Sequence, residues 1–322
     1  MSPESSTAFR PEDDLVHPHD PAVWSWNESF LLSWLTPDGG PSGLFRLGLL
    51  PNQGRGWLWF FLHVDGEWLT VEETRLDLRH FDLADGATHD AWGLRFGWTP
   101  VEPLQRGVFQ LDGVARVRSG PRAGALVPLS LELTATATAP CFGTGTGHEP
   151  DEKPQFPASR FEQSVMITGT LTVDGQTRAV ECPGHRDRSW GPRTWQVGFA
   201  LGDLHGGGRQ LWFAGAPQPR ERGSGYLRDG DGTHRITGID GTVAYDDQRL
   251  TIAPSHLVFS VDDGTSIGVT LEPESTSIVF DMAHSSDPPV HWDYWRTLVK
   301  ARVDDSDDEL WGWFEANRFG VT

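Results

Sequence analysis

Ile167-Thr168-Gly169-Thr170-Leu171-Thr172-Val173-Asp174-Gly175-Gln176-Thr177 alternates apolar and polar side chains, is rich in β-branched residues and runs into Asp-Gly. A period of two fits a pleated strand with one buried face. Asp-Gly supplies two successive residues that tolerate positive φ, as a tight hairpin requires. The same pattern recurs along the chain. Gly56-Trp57-Leu58-Trp59-Phe60-Phe61-Leu62-His63-Val64 leads into Asp65-Gly66, and further Asp-Gly pairs at 112–113, 240–241 and 263–264 also read as hairpin turns. No window keeps a 3.6-residue period through three turns, although Val71 to Leu83 is compatible with a short helix. The sequence therefore predicts an all-β protein.

With 322 residues the chain is longer than the usual single domain. Pro140 to Pro157 is a stretch of Gly, Thr, Pro and charges with little to bury, and it reads as a linker. The expected organisation is a domain over 1–158, with its linker at about 140–157, and a second over 159–322. Each half has enough strands for its own β-barrel or sandwich, and the two are expected to pack side by side. Gly143-Thr144-Gly145-Thr146-Gly147 has neither the spacing nor the strand–helix context of a dinucleotide loop.

Fifteen Trp and seventeen Phe make aromatic area dominant in the interior and in any cavity. A formal charge of −19 repels nucleic acid and anionic membrane, which leaves a neutral or cationic small molecule as the expected partner. No apolar run approaches a membrane span, and Met1-Ser2-Pro3-Glu4-Ser5-Ser6 lacks the features of a signal peptide, so the cytoplasm is the expected location. Cys141 and Cys182 are too few for a disulfide scaffold. No GxSxG, HExxH or Walker sequence is present. His17-Pro18-His19-Asp20 is the best metal candidate, but it has no further ligand nearby, and no metal site is predicted.

The densest reactive chemistry is Gly184-His185-Arg186-Asp187-Arg188-Ser189-Trp190-Gly191-Pro192-Arg193. Read as a strand-to-turn corner, it sets one carboxylate among arginines beside an indole. Asp187 is then either a general acid or base at an apolar substrate or the anchor of an Arg–Trp staple. Desolvation beside Trp190 favours its neutral form, whereas Arg186, Arg188 or Arg193 favours the charged one.

Trp26-Asn27-Glu28-Ser29, Arg46-Leu47-Gly48, Pro51-Asn52, Phe161-Glu162-Gln163-Ser164, the 168–175 run and the 184–193 motif together resemble bacterial lipocalin-like proteins related to hydroxyneurosporene synthase, the carotenoid 1,2-hydratase. The resemblance runs through most of the chain, and fungal lipocalin-like Diels–Alderases and kievitone hydratase are similar at greater distance. It implies two lipocalin-like β-barrel domains and an apolar pocket. It further implies hydration, dehydration or cyclisation of isoprenoid or polyketide-like substrates without a bound cofactor. Arg188 departs from the pattern, which has His after the Asp.

Other candidates follow from alternation. Glu162 and Gln163 must face opposite sides of their strand, so one looks inward toward a ligand; the alternative for Glu162 is a solvent-exposed strand end. Trp24, Trp26 and Glu28 share a face, as do Trp311, Trp313, Glu315 and Asn317, and indoles flanking an acid can hold a polyene or a developing cation. Tyr294 offers a hydroxyl to a ligand or to a backbone carbonyl, and Arg46 is expected to pair an acid structurally. The candidate machinery is Asp187 as acid/base, Glu162 as second carboxylate and Arg186 as electrostatic partner, with Trp190, Trp195, Gln163, Trp26, Glu28, Tyr294, Trp313 and Glu315 lining the site. Two functions compete: a cofactor-free lyase or isomerase acting on a hydrophobic small molecule, and a non-catalytic carrier of such a molecule.

Overall fold

The structure is a computed structural model that describes residues 9–37, 40–144, 159–193, 198–215, 224–230, 232–249, 251–281, 291–304 and 306–319. It is all-β, as the alternation predicts, and divides into two compact units, Met1–Thr194 and Trp195–Thr322.

In the first unit, pairing runs through the strands Trp26–Trp34, Ser42–Leu50, Arg55–Val64 and Glu67–Asp77. It passes on to Arg106–Val117, Leu126–Ala137, Ser159–Val173 and Gln176–Pro192, and returns to Trp26–Trp34, so the sheet curls into a closed circuit. The narrowest join is between Glu67–Asp77 and Arg106–Val117, where Leu69 meets Val117 and Thr70 meets Arg116. Alternation fills the interior with Phe30, Leu32, Phe45, Phe60, Phe109, Val165 and Ile167. The Phe45 and Phe109 rings stack with centroids 3.8 Å apart. On the outer face a Cβ at Gly48 would overlap the indole of Trp57, its cross-strand partner, so glycine is needed there for the ring to lie flat on the sheet.

The second unit closes in the same way. Strands Phe199–Gly206, Arg209–Gly215, Ser224–Asp229, Gly232–Gly241, Ser255–Val261, Ser266–Pro273, Trp292–Val303 and Glu309–Phe319 pair in sequence order, and the last pairs back with the first. Leu204, Phe213, Phe259, Val269, Val299 and Phe314 form its interior.

Three expectations are corrected. The hairpin of Ser159–Val173 and Gln176–Pro192 belongs to the first unit, because these strands fill the gap between Leu126–Ala137 and Trp26–Trp34; the division falls after Thr194 and not at 158. Most of the expected linker, from 145 onward, lies outside the described residues. Val71 to Leu83 is not helical: the strand Glu67–Asp77 is followed by a 3-10 turn at Leu78–His80. Asp65-Gly66 and Asp174-Gly175 make tight turns, with φ of 53° and 50° at the aspartates, and Asp263-Gly264 turns the hairpin of Ser255–Val261 and Ser266–Pro273. Asp112-Gly113 and Asp240-Gly241, in contrast, continue strands, pairing with Ser130 and Leu129 and with Val258 and Leu257.

Candidate functional site

The segment 184–193 is not a corner. Gln176–Pro192 runs on as one strand, and alternation sorts its charges onto two faces. Arg186, Arg188 and Trp190 look into the lumen, level with Leu32, Phe30 and Glu28 of the neighbouring strand. His185, Asp187 and Ser189 look outward, level with Ser33, Leu31 and Ser29.

On the outer face Glu162 and Asp187 stand directly opposite one another on paired strands. Two residues back on the same face, Arg160 serves both: its guanidinium hydrogen-bonds Glu162 and lies 2.7 Å from Asp187 Oδ2. His185 Nε2 lies 2.6 Å from the other Glu162 oxygen. Glu162 is 1% exposed and His185 3%, whereas the Asp187 side chain keeps 14%, so the cluster has a buried end and an accessible end. Burial pushes the Glu162 carboxyl up to about 6; the nearby Asp187 charge adds to the rise, and Arg160 and the His185 hydrogen bond oppose it. The cross-strand row continues from Asp187 through Leu31 and Arg46 to Trp59. The Arg46 guanidinium lies 5.6 Å from the Trp57 ring centroid and 5.5 Å from that of Trp59.

The lumen face is a closed polar network. Glu28 pairs with Arg188, accepts from Trp26 Nε1 at 3.0 Å and meets His17 Nδ1 at 3.2 Å. Burial alone would raise the Glu28 carboxyl, but Arg188 and His17 together hold it below its ordinary value. Trp190 stacks on His17 at 4.1 Å. Arg186 donates to Asp14 and to Gln163, and Gln163 in turn donates to the carbonyls of Leu104 and Ala139 at 2.9 Å each. The pocket bounded by Asp14, Phe30, Phe45, Trp98, Arg186 and Arg188 has room for about one water molecule.

The family model described as a domain of unknown function, DUF7064, matches residues 10–319. The chain belongs to the DUF7064 family. No curated protein matches this DUF7064 member. Solved structures similar to it in fold include an AttH-like protein from Nitrosomonas europaea (13% identity, TM-score 0.62, covering 98% of each chain). Kievitone hydratase from Nectria haematococca is similar at 12% identity and TM-score 0.57, over 98% of this chain and 97% of that one. CghA is similar at 10% identity and TM-score 0.55, over 96% and 94%. These likenesses agree with the resemblance read from the sequence motifs and establish the lipocalin-like fold.

The structure brings Asp187 and Glu162 together and separates Arg186 from them. Arg186 sits on the opposite face, and the cation between the carboxylates is Arg160. Trp190 is likewise on the lumen side, away from the Asp187 carboxylate. Of the pair 162/163, Gln163 is the inward residue, and its amide is committed to backbone and Arg186. Burial of Glu162 removes the solvent-exposed alternative. Trp26 and Glu28 do meet, but Trp24 is 53% exposed and forms no wall. In the second unit, Tyr294 and Arg296 both hydrogen-bond Glu315 on the outer barrel face, with Arg296 4.6 Å from the Trp313 ring centroid. The Tyr294 partner is thus a carboxylate and not a carbonyl. Trp195 lies outside the described residues. Burial pushes the Cys141 and Cys182 thiols up to about 12 and about 11, which keeps both protonated.

Sequence reasoning missed Arg160 and Asp14, took His17 only as a metal candidate and gave His185 no role of its own, and in the second unit missed Arg296 and the Asp203–His205–Gln210 group. His205 Nε2 and Gln210 Nε2 each lie 3.0 Å from the Asp203 carboxylate. The usable signal was spacing two: Arg160/Glu162, His185/Asp187, Asp203/His205 and Tyr294/Arg296 all obey it.

Proposed function

We propose that this protein is a cofactor-free lyase or isomerase that adds or removes water across a C=C bond, or cyclises a hydrophobic isoprenoid or polyketide-like molecule, by proton transfer at the Arg160–Glu162–His185–Asp187 cluster. The observation that carries this reading is two facing carboxylates that share one arginine, with Glu162 raised to about 6. Arg160 and His185 together do not offset the burial of Glu162 and the facing Asp187 charge, so the buried carboxyl titrates closer to neutrality than an ordinary glutamate. A carboxyl titrating at about 6 is protonated in roughly one molecule in ten at pH 7, against about three in a thousand for an ordinary glutamate.

In this scheme Asp187, the accessible member, exchanges the proton with the substrate, and Glu162–His185 positions and recharges it. In the hydration direction the proton adds to one alkene carbon. Water then adds to the cationic carbon and returns a proton to the ionised acid. Dehydration runs these steps in reverse. Leu31, which stands beside Asp187 on the same face, supplies apolar surface next to the acid. A hydratase stands among the proteins of similar fold, which fits this chemistry.

The test incubates the protein with isoprenoid and polyketide-type alkenes and alcohols and follows gain or loss of water, or isomerisation, by mass spectrometry and chromatography. Asp187→Asn is expected to lower turnover by about 10²-fold or more with fold and ligand affinity kept. Tight binding with no transformation in either protein would instead establish the carrier reading.

A further inference from the structure

The segment from Phe9 to Asp20 pairs with no strand, yet it is seated over the lumen of the first barrel by side-chain contacts. Phe9 sets its ring edge-on to Phe161 at 5.6 Å, the carbonyl of Leu15 accepts from Arg188, and His17 stacks on Trp190. The central contact is Asp14, which is 1% exposed. Arg186 Nη1 donates to Oδ1 at 2.7 Å and to Oδ2 at 3.0 Å, and the backbone N–H of Leu104 donates to Oδ2 at 2.7 Å.

Everything that grips this carboxylate belongs to the barrel and is held in place independently of Asp14. Arg186 lies 5.0 Å from the Phe161 ring centroid and 5.6 Å from that of Trp98. Its Nε donates to Gln163 at 2.7 Å, and Gln163 is pinned by two backbone carbonyls. Leu104 takes a φ of 64°, a strained conformation for leucine, and in it the N–H is aimed at the carboxylate. One donor of this group is unspent: Arg186 Nη2 is buried and has no hydrogen-bond partner. A strained backbone donor and a clamped guanidinium converge on this acid, and the same guanidinium keeps a buried N–H unused; that is the make-up of a preorganised carboxylate receptor, whereas a purely structural ion pair needs only the two charges.

We propose that the mouth of the first barrel is a binding site for a small aliphatic carboxylate, which Asp14 of the N-terminal strap fills in cis. Size is set by the surroundings: beyond the Asp14 carboxylate there is room for about one water before Phe30, Phe45 and Trp98 fill the lumen. Because the strap holds its acid at high effective concentration, a free carboxylate gains the site only when the strap is released or its acid removed.

The experiment compares thermal unfolding of the full chain, Asp14→Ala and Asp14→Glu in sodium acetate and in sodium chloride at matched ionic strength. Asp14→Ala is expected to melt several degrees lower in chloride and to recover at least half of the loss, saturably, in acetate. The other two proteins are expected to respond equally to both salts. A variant that gains no more from acetate than from chloride, or a full chain that gains as much as the variant, overturns the proposal. If Asp14→Ala does not fold in either salt, Asp14→Ser, which keeps a small polar group on the strap but vacates the carboxylate's place, is titrated with carbon-13 acetate and followed by NMR. Absence of saturable binding there also overturns it.

Discussion

Replacing Glu162 by Gln isolates the proton that the outer-face cluster is built to hold. The folded protein raises this carboxyl from 4.5 to about 6, because burial and the facing Asp187 outweigh Arg160 and His185. The native state therefore binds the proton more tightly than the unfolded chain. The stabilisation is fully present below about 4.5 and is lost as pH rises through about 6. Its full size is about 2 kcal/mol, of which about 1 kcal/mol falls between pH 5 and pH 8. Glutamine has the shape of the protonated acid and nothing to titrate. It loses the charge-assisted contacts to Arg160 and His185, but that adds an offset that does not depend on this proton. Urea unfolding of both proteins at several pH values should therefore show the wild type losing about 1 kcal/mol relative to Glu162→Gln from pH 5 to pH 8. A flat difference, or one of opposite sign, would refute the reasoning, since Glu162 would then be an ordinary ion-pair partner with no proton held near neutrality.

The lumen acid should behave oppositely. Glu28→Gln leaves Arg188 buried without its counter-charge and should cost about 3–5 kcal/mol at neutral pH. Because the Glu28 carboxyl is lowered, that advantage of the wild type is present above about 4.5 and shrinks as pH falls, which the same urea series reads. Arg160→Gln removes the cation that opposes the rise of Glu162. The Glu162 titration, followed by infrared absorption of the protonated carboxyl, should move to higher pH, and the variant should lose about 2–3 kcal/mol at neutral pH. An unchanged titration would assign Arg160 to another partner.

Local pattern was enough for the fold class. Alternation and Asp-Gly pairs identify strands and three of the turns, since side-chain period and positive φ are properties of neighbouring residues. The resemblance in motif order pointed to a lipocalin-like architecture, which the solved structures bear out. Alternation also put Glu162 and Gln163 on opposite faces correctly, without fixing which one looked inward. Reading 184–193 as a corner was the costly error. It placed His185, Arg186, Asp187 and Arg188 in one neighbourhood, whereas a continuous strand sends them alternately to lumen and outer face.

What the sequence by itself determined was strand content, the aromatic interior and the pairing of residues two apart. Only the tertiary structure decided that Arg160 and not Arg186 lies between the carboxylates, and that Asp14 reaches Arg186 across 172 positions of sequence. It alone showed that the hairpin after the linker closes the first barrel. The reason is that partners across a sheet are set by strand order and register, which depend on how the whole circuit closes and are not encoded in any single window.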